Sequence, residues 1–181
     1  TYQVTEGNSV NSGSFYYNAL SGEEEEKRIV PLSWDQRHIF NTTVSVGDPG
    51  NWNLGVISNL SSGWPYTPNV PNANYVPLPN SGRKPWQWRV DMRLHKNFKM
   101  GKFNYVLYAK IYNLLDRRNE RYVFNDTGRA GYTYVFQSTQ ETKGFKDHYG
   151  ETGVHTWSEY QNRPQYYTSP RSINIGFSLD F

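Results

Sequence analysis

The chain of 181 residues contains no cysteine. Disulfide scaffolds and every thiolate-based zinc, haem or redox site are therefore excluded. Methionine is nearly absent, with 2 residues. No run of about 18 apolar residues occurs, so no transmembrane helix is expected. Charge of one sign is also scarce. The 19 Lys and Arg exceed the 16 Asp and Glu by only 3, too little for a module driven by phosphate contacts, and no nucleic-acid partner is expected. Thr1 is followed by neither a basic segment nor an apolar one. No signal peptide is read here, which implies either its removal or an internal piece of a longer protein.

Aromatic residues are plentiful, with 15 Tyr, 9 Phe and 6 Trp. The mean hydropathy is nevertheless strongly negative. Soluble cores are normally filled with Leu, Ile, Val and Ala. An aromatic-rich but polar chain suits two other designs. One is a secreted β-rich module that binds carbohydrate. The other is a membrane β-barrel, where only alternate residues touch lipid and aromatic girdles mark the interfaces.

Helical periodicity and internal repeats are lacking; alternation with period two recurs instead. His38, Phe40, Thr42, Val44 and Val46 share one face, and Gly47-Asp48-Pro49-Gly50 signals a turn. Trp52, Leu54, Val56 and Leu60 form the next apolar face. Residues 61–85 are rich in proline and read as a loop. Trp88, Val90, Met92, Leu94 and Phe98 then alternate with Arg89, Asp91, Arg93, His95 and Asn97. After a turn at Gly101, Phe103, Tyr105, Leu107, Ala109 and Ile111 alternate with polar partners, and this strand is expected to run past a bulge near Asn113 to about Phe124. Residues 125–168 form a second long loop. Ile173, Ile175, Phe177, Leu179 and Phe181 close the chain on one face. A weaker strand is expected from Tyr2 to about Val10, followed by a loop holding Glu23 to Glu26.

The expected fold is all-β, an antiparallel segment of about six strands. Short and long connections alternate, as in outer-membrane barrels with periplasmic turns and extracellular loops. Arg89, Asp91, Arg93 and His95 would then face the lumen, with Lys110 and Asp180 in the same class. Charges turned toward hydrocarbon would cost roughly 2–4 kcal/mol each at mid-bilayer.

The ending Asn174-Ile175-Gly176-Phe177-Ser178-Leu179-Asp180-Phe181 resembles the C-terminal assembly signal of bacterial outer-membrane proteins, at Asn174, Gly176, Leu179 and Phe181. Further segments resemble the last strands of TonB-dependent outer-membrane receptors. These are Trp34-Asp35-Gln36-Arg37-His38, Tyr66-Thr67-Pro68, the Arg89-x-Asp91-x-Arg93 strand, and Ala109-x-x-x-Asn113-Leu114-Leu115-Asp116 with Arg117 and Asn119. The resemblance implies that residues 1–181 are the C-terminal portion of a 22-stranded transmembrane barrel. The plug domain, the first strands and the segment that engages the TonB complex would lie outside this sequence. It also implies active uptake of a scarce nutrient (iron chelate, cobalamin or oligosaccharide), contact with outer-membrane lipid, and recognition of the terminal strand by the barrel-assembly machinery.

The lumen row would contact plug or substrate. Trp64, Tyr66, Tyr132, Tyr134, Trp157 and Tyr160 are loop candidates for ligand contact. His38, His95, His148 and His155 show no metal spacing, and no metal or cofactor is expected. The Gly-x-Ser-x-Gly, phosphate-loop and cysteine-nucleophile patterns are absent, so no enzyme is expected. A passive porin and a soluble secreted β-sandwich that binds carbohydrate are the alternatives.

Overall fold

A computed structural model describes residues 1–8, 29–48, 50–69, 77–134 and 161–180. Glu23 to Glu26, His148, His155, Trp157, Tyr160 and Phe181 lie outside the described residues.

The five strongest alternating segments become strands of one antiparallel sheet. In chain order the elements are β1 (Glu6–Asn8), β2 (Ile29–Pro31), β3 (Ile39–Asp48), β4 (Trp52–Ser61), β5 (Pro65–Tyr66), β6 (Gly82–Arg83), β7 (Gln87–Met100), β8 (Phe103–Tyr112) and β9 (Ser172–Asp180). The large sheet runs β3-β4-β7-β8-β9, every pair antiparallel. β1 pairs with β2, and β5 with β6, in two small ribbons. The sheet is open among the described residues, with β3 and β9 at its edges.

Two tight turns lie at the same end of the sheet. Gly50 (φ 89°) turns β3 into β4, and Gly101 (φ 62°) turns β7 into β8. Both values fall in the left-handed region that glycine enters without a Cβ penalty. The first turn docks on β7, whose Asn97 side chain donates to the Gly50 carbonyl at 3.1 Å. The connections across residues 62–86 and 113–171 leave from the opposite end.

The register assigns every side chain to a face, because paired residues in an antiparallel ladder project the same way. Val46, Leu54, Leu94, Ala109 and Ile175 form one rung across all five strands. Val44, Val56, Met92, Ile111 and Ile173 form the next rung on that side. Phe40, Leu60 and Trp88 close the end with long connections, while Phe98, Tyr105 and Leu179 lie toward the tight turns. One side of the sheet is thus mostly apolar, interrupted by Thr42 and Ser58 in the rung with Val90 and by Asp48 and Lys96 in the rung with Trp52. Lys96 is the cation on this side, and its ammonium reaches the Asn51 side chain at the turn, as long basic side chains do beside apolar surface.

Apart from the buried Val90, that side is largely uncovered by the described residues. Ile175 is 73% exposed, Phe177 71% and Met100 67%. Among the described residues the buried apolar side chains are Val30, Val90, Phe124 and Ala130, and of these Val90 alone belongs to the large sheet. Described residues therefore place no second layer against the sheet, which is the arrangement a β-sandwich needs.

Three sequence expectations change. Of the strand expected from Tyr2 to Val10, the described residues form β1 in a ribbon apart from the sheet. Thr1 to Gln3 pair with Arg37 to Ile39, and then the chain leaves β3, because the Thr5 N–H donates to Asp35 Oδ1 at 3.0 Å. β8 stops at Tyr112 rather than near Phe124. Asn113 (φ 54°) and Asp116 (φ 50°) are left-handed, and the Asn113 N–H donates to Asp91 Oδ1 at 2.9 Å instead of to a strand. The proline-rich loop holds the β5–β6 ribbon, in which Pro65 faces Arg83.

Candidate functional site

Alternation along β7 puts Arg89, Asp91, Arg93 and His95 on the polar side. Lys110 joins them opposite Arg93, and Asn174 faces Lys110 from β9. These charges are not equivalent. Arg89 Nε donates to Asp91 Oδ1 at 2.9 Å, and the guanidinium lies 5.9 Å from the Tyr112 ring centre. That same carboxylate holds Asn113, so Asp91 ends β8 as well as pairing with Arg89. Arg93 and Lys110 are exposed neighbours of like charge, with no ion pair among the described residues. Like charges directly opposite each other destabilise a sheet unless an anion joins them.

A cavity of about 490 Å³ opens on this polar side at the end with long connections. Asn59, Gln87, Arg89 and Tyr112 come from the sheet; Arg121 and Tyr167 come from the connection. Amides, guanidiniums and phenols in one concavity suit a polar, hydroxylated or anionic guest.

The cavity rim is held by Asn119, which the alternation could not have marked. Its Oδ1 accepts the Trp88 N–H at 2.9 Å and its Nδ2 donates to the Trp88 carbonyl at 2.9 Å. The side chain substitutes for a neighbouring strand. Thr168 Oγ1 accepts the Asn119 N–H at 3.3 Å, tying residues 161–171 to this point. Asn119→Ala leaves both Trp88 backbone groups unpaired, an expected loss of about 1–3 kcal/mol. Faster hydrogen exchange at the Trp88 amide, with the other β7 amides unchanged, is the expected readout; an unaltered Trp88 rate refutes this role.

The loop aromatics divide. Tyr66 is a packing residue, since its ring fills the space where a Cβ on Gly82 or Gly128 would sit. Burial, and then the charge of Asp126, raise its hydroxyl above the ordinary value. Trp64 is 40% exposed. Tyr132 and Tyr134 are exposed and meet edge to face, 5.6 Å between centres. Thr127 Oγ1 donates to the Tyr132 carbonyl and Asp126 accepts the Tyr134 N–H, which fixes this pair. Beneath them Glu120 accepts from Arg129 at 2.7 Å and from the Ala130 N–H. Trp157 and Tyr160 lie outside the described residues.

Of the terminal pattern, Leu179 lies on the apolar side opposite Tyr105, and Asn174 and Gly176 lie on the polar side. The Tyr108 ring lies over Gly176, where a Cβ would come within 2.5 Å of it, and Lys110 caps that ring at 5.5 Å. Glycine here permits a cross-strand aromatic contact whatever its part in assembly. Phe181 is outside the described residues.

Asp35 was not singled out by sequence as a site, yet it is fully buried. It accepts from Arg83, from the Thr5 N–H, and from Arg37 Nε at 3.4 Å. Burial raises its carboxyl, but the hydrogen bonds from Arg83 and Thr5 and the Arg83 charge outweigh that and hold it below the ordinary 3.8. Among the described residues no three His, Asp or Glu side chains gather as a metal group would require. No family model, no curated protein and no solved structure matches this chain.

Proposed function

We propose that this chain forms part of the wall of a transmembrane β-barrel in the bacterial outer membrane, within a TonB-dependent receptor that takes up a scarce nutrient. The observation that carries the reading is the uncovered apolar side of a five-stranded antiparallel sheet. A contiguous exposed apolar surface of this kind marks a membrane or a partner. Its height suits a membrane. From Trp88 to Met100 there are twelve residue steps along β7, roughly 40 Å at ~3.4 Å per residue, or about 30 Å at a tilt of about 40°.

The open edges support the same reading, because lipid does not tolerate unpaired backbone. The rest of the barrel would supply partners for β3 and β9. Tight turns at one end and long connections at the other fit periplasmic and extracellular sides. The polar side would face the lumen, where Arg93 and Lys110 await acidic groups of a plug domain or of the solute. The TonB complex would act through segments outside this sequence, and the assembly machinery would read the terminal strand. The motifs at residues 34–38, 89–93 and 109–119 favour a receptor over a passive porin, whereas the terminal motif at 174–181 is common to both.

Fractionation and uptake test the proposal. The receptor that contains residues 1–181 is expected in the outer membrane, extractable only with detergent and shifted on gels by heating. Nutrient-limited cells lacking it should lose energy-dependent uptake of one chelate, cobalamin or oligosaccharide. A monodisperse, detergent-free soluble protein would refute the barrel; uptake indifferent to the membrane energy supply would favour the porin.

A further inference from the structure

We propose that the cavity beside Arg89 and Arg121 binds an acidic oligosaccharide through a sugar ring that carries one carboxylate and free hydroxyls; this rests on the receptor reading and names the class of nutrient. Position is the first argument. Asn59, Gln87, Arg89 and Tyr112 line the cavity, and the register puts all four on the polar side. Arg89 pairs with Asn59, Gln87 stands two residues before Arg89, and Tyr112 stands two residues after Lys110, the partner of Arg93. Alternation gives them one face. The cavity stands at the end with long connections, the extracellular end on the receptor reading. Its volume of about 490 Å³ falls within the roughly 300–1,000 Å³ of small-molecule sites.

Charge is the second argument. The lining holds two guanidiniums and no carboxylate. Asp91, outside the lining, neutralises Arg89 by accepting from its Nε at 2.9 Å, and the other N–H groups of that fork remain. Arg121 has no ion pair among the described residues. Its guanidinium lies 5.5 Å from the Tyr122 ring centre, an attraction that leaves the charge in place. One positive charge is left over, and a planar fork matches a single carboxylate. The Arg121 backbone is held separately: its N–H donates to the Tyr166 carbonyl at 2.8 Å, and its carbonyl accepts from Lys84 at 2.9 Å.

The neutral groups choose the guest. Asn113 and Asn119 also line the cavity, but their amides are committed to backbone. Asn113 donates to the Arg117 and Ser169 carbonyls at 3.1 Å each, and Asn119 holds Trp88. They make a fixed rim. The Gln87 amide and the Tyr112 hydroxyl have no hydrogen-bond partner among the described residues. Asn59 gives one donor to Asn41 and keeps its own carbonyl oxygen. Free donors and acceptors beside one cation match a ring with several hydroxyls and one carboxylate. An iron chelate commits such oxygens to its metal. Cobalamin needs broad apolar walls, whereas the Tyr112 ring carries the Arg89 guanidinium 5.9 Å from its centre. Trp88 sends its ring to the apolar side, where the indole N–H donates to Ser58 Oγ at 3.0 Å.

Calorimetry on the receptor that contains residues 1–181, purified in detergent, tests this with four probes: digalacturonate, its fully methyl-esterified form, iron(III) citrate and inorganic phosphate. The ester keeps the sugar hydroxyls and loses only the charge. Digalacturonate should bind about tenfold more tightly than the ester, the effect of one charge-assisted contact. Arg121→Gln should bring the acid down to the affinity of the ester, and it leaves both backbone bonds of residue 121 intact. Gln87→Glu sets a like charge beside the carboxylate and should weaken the acid more than the ester. Lys102→Gln, in the turn at the far end, should change nothing. Equal binding of acid and ester overturns this proposal alone, as does wild-type preference in both cavity variants or an outer-membrane receptor that binds neither sugar. Tighter binding of iron(III) citrate or of phosphate than of digalacturonate also overturns it. A protein that is monodisperse without detergent removes the outer-membrane reading, and this proposal with it.

Discussion

Ile175→Arg will lower the stability of the membrane-inserted protein by about 2–4 kcal/mol, the cost of a guanidinium facing mid-bilayer hydrocarbon, and will cut the amount of heat-modifiable barrel. Ile175 ends the rung Val46, Leu54, Leu94, Ala109 and Ile175, and its neighbours on that side of its own strand are Ile173 and Phe177. A charge placed there has no short path to water. Leu94→Arg, on a central strand of the same rung, should behave alike, which separates a lipid effect from an effect of the β9 edge. Ser178→Arg is the control, since Ser178 pairs with Val106 on the polar side and should change stability by less than about 0.5 kcal/mol. The experiment discriminates because Ile175 is 73% exposed. If water covers this side, arginine at an exposed position is nearly neutral. Equal, small effects of Ile175→Arg and Ser178→Arg in urea titrations would therefore remove the barrel reading.

Asp35→Asn should destabilise the folded chain by about 3–5 kcal/mol, because removing one member of a buried ion pair strands the other. Arg83 would keep its bond to the Asp35 carbonyl but lose the carboxylate. Arg37 and the Thr5 N–H lose the same acceptor. The damage should be local in space but distant in sequence, loosening residues 1–8, 29–37 and 82–84 together. Acid should reproduce it. The folded carboxyl lies below its ordinary 3.8, so its contribution is complete above that value and is lost as pH falls through the lower folded value. Wild-type stability should thus fall in that acidic window, and Asp35→Asn should lack this part of the fall. Parallel pH profiles for the two proteins would show that the carboxylate contributes nothing.

Much of the sheet is legible in the sequence because period two is a local property. Once Trp88, Val90, Met92 and Leu94 alternate with Arg89, Asp91, Arg93 and His95, the pleat alone sends them to opposite sides. The glycines at 50 and 101 mark the tight turns for an equally local reason, positive φ. The candidate site was legible only in part. Arg89 and Asp91 were visible as charges on one parity, but not that Asp91 reaches Asn113 and ends β8. Tyr66 looked like a loop aromatic free for ligand, and only its packing on Gly82 and Gly128 makes it structural.

Sequence by itself therefore determined the strand segments, their faces and the alternation of short and long connections, since each follows from neighbours within a few residues. Tertiary structure decided where strands stop, which polar side chains stand in for missing strands, and that Asp35 joins Thr5 to Arg83 across 30 and 48 residues. Those outcomes depend on which backbone groups and charges meet after the chain has folded back, and hydrogen bonds and ion pairs at such separations leave no period in the sequence.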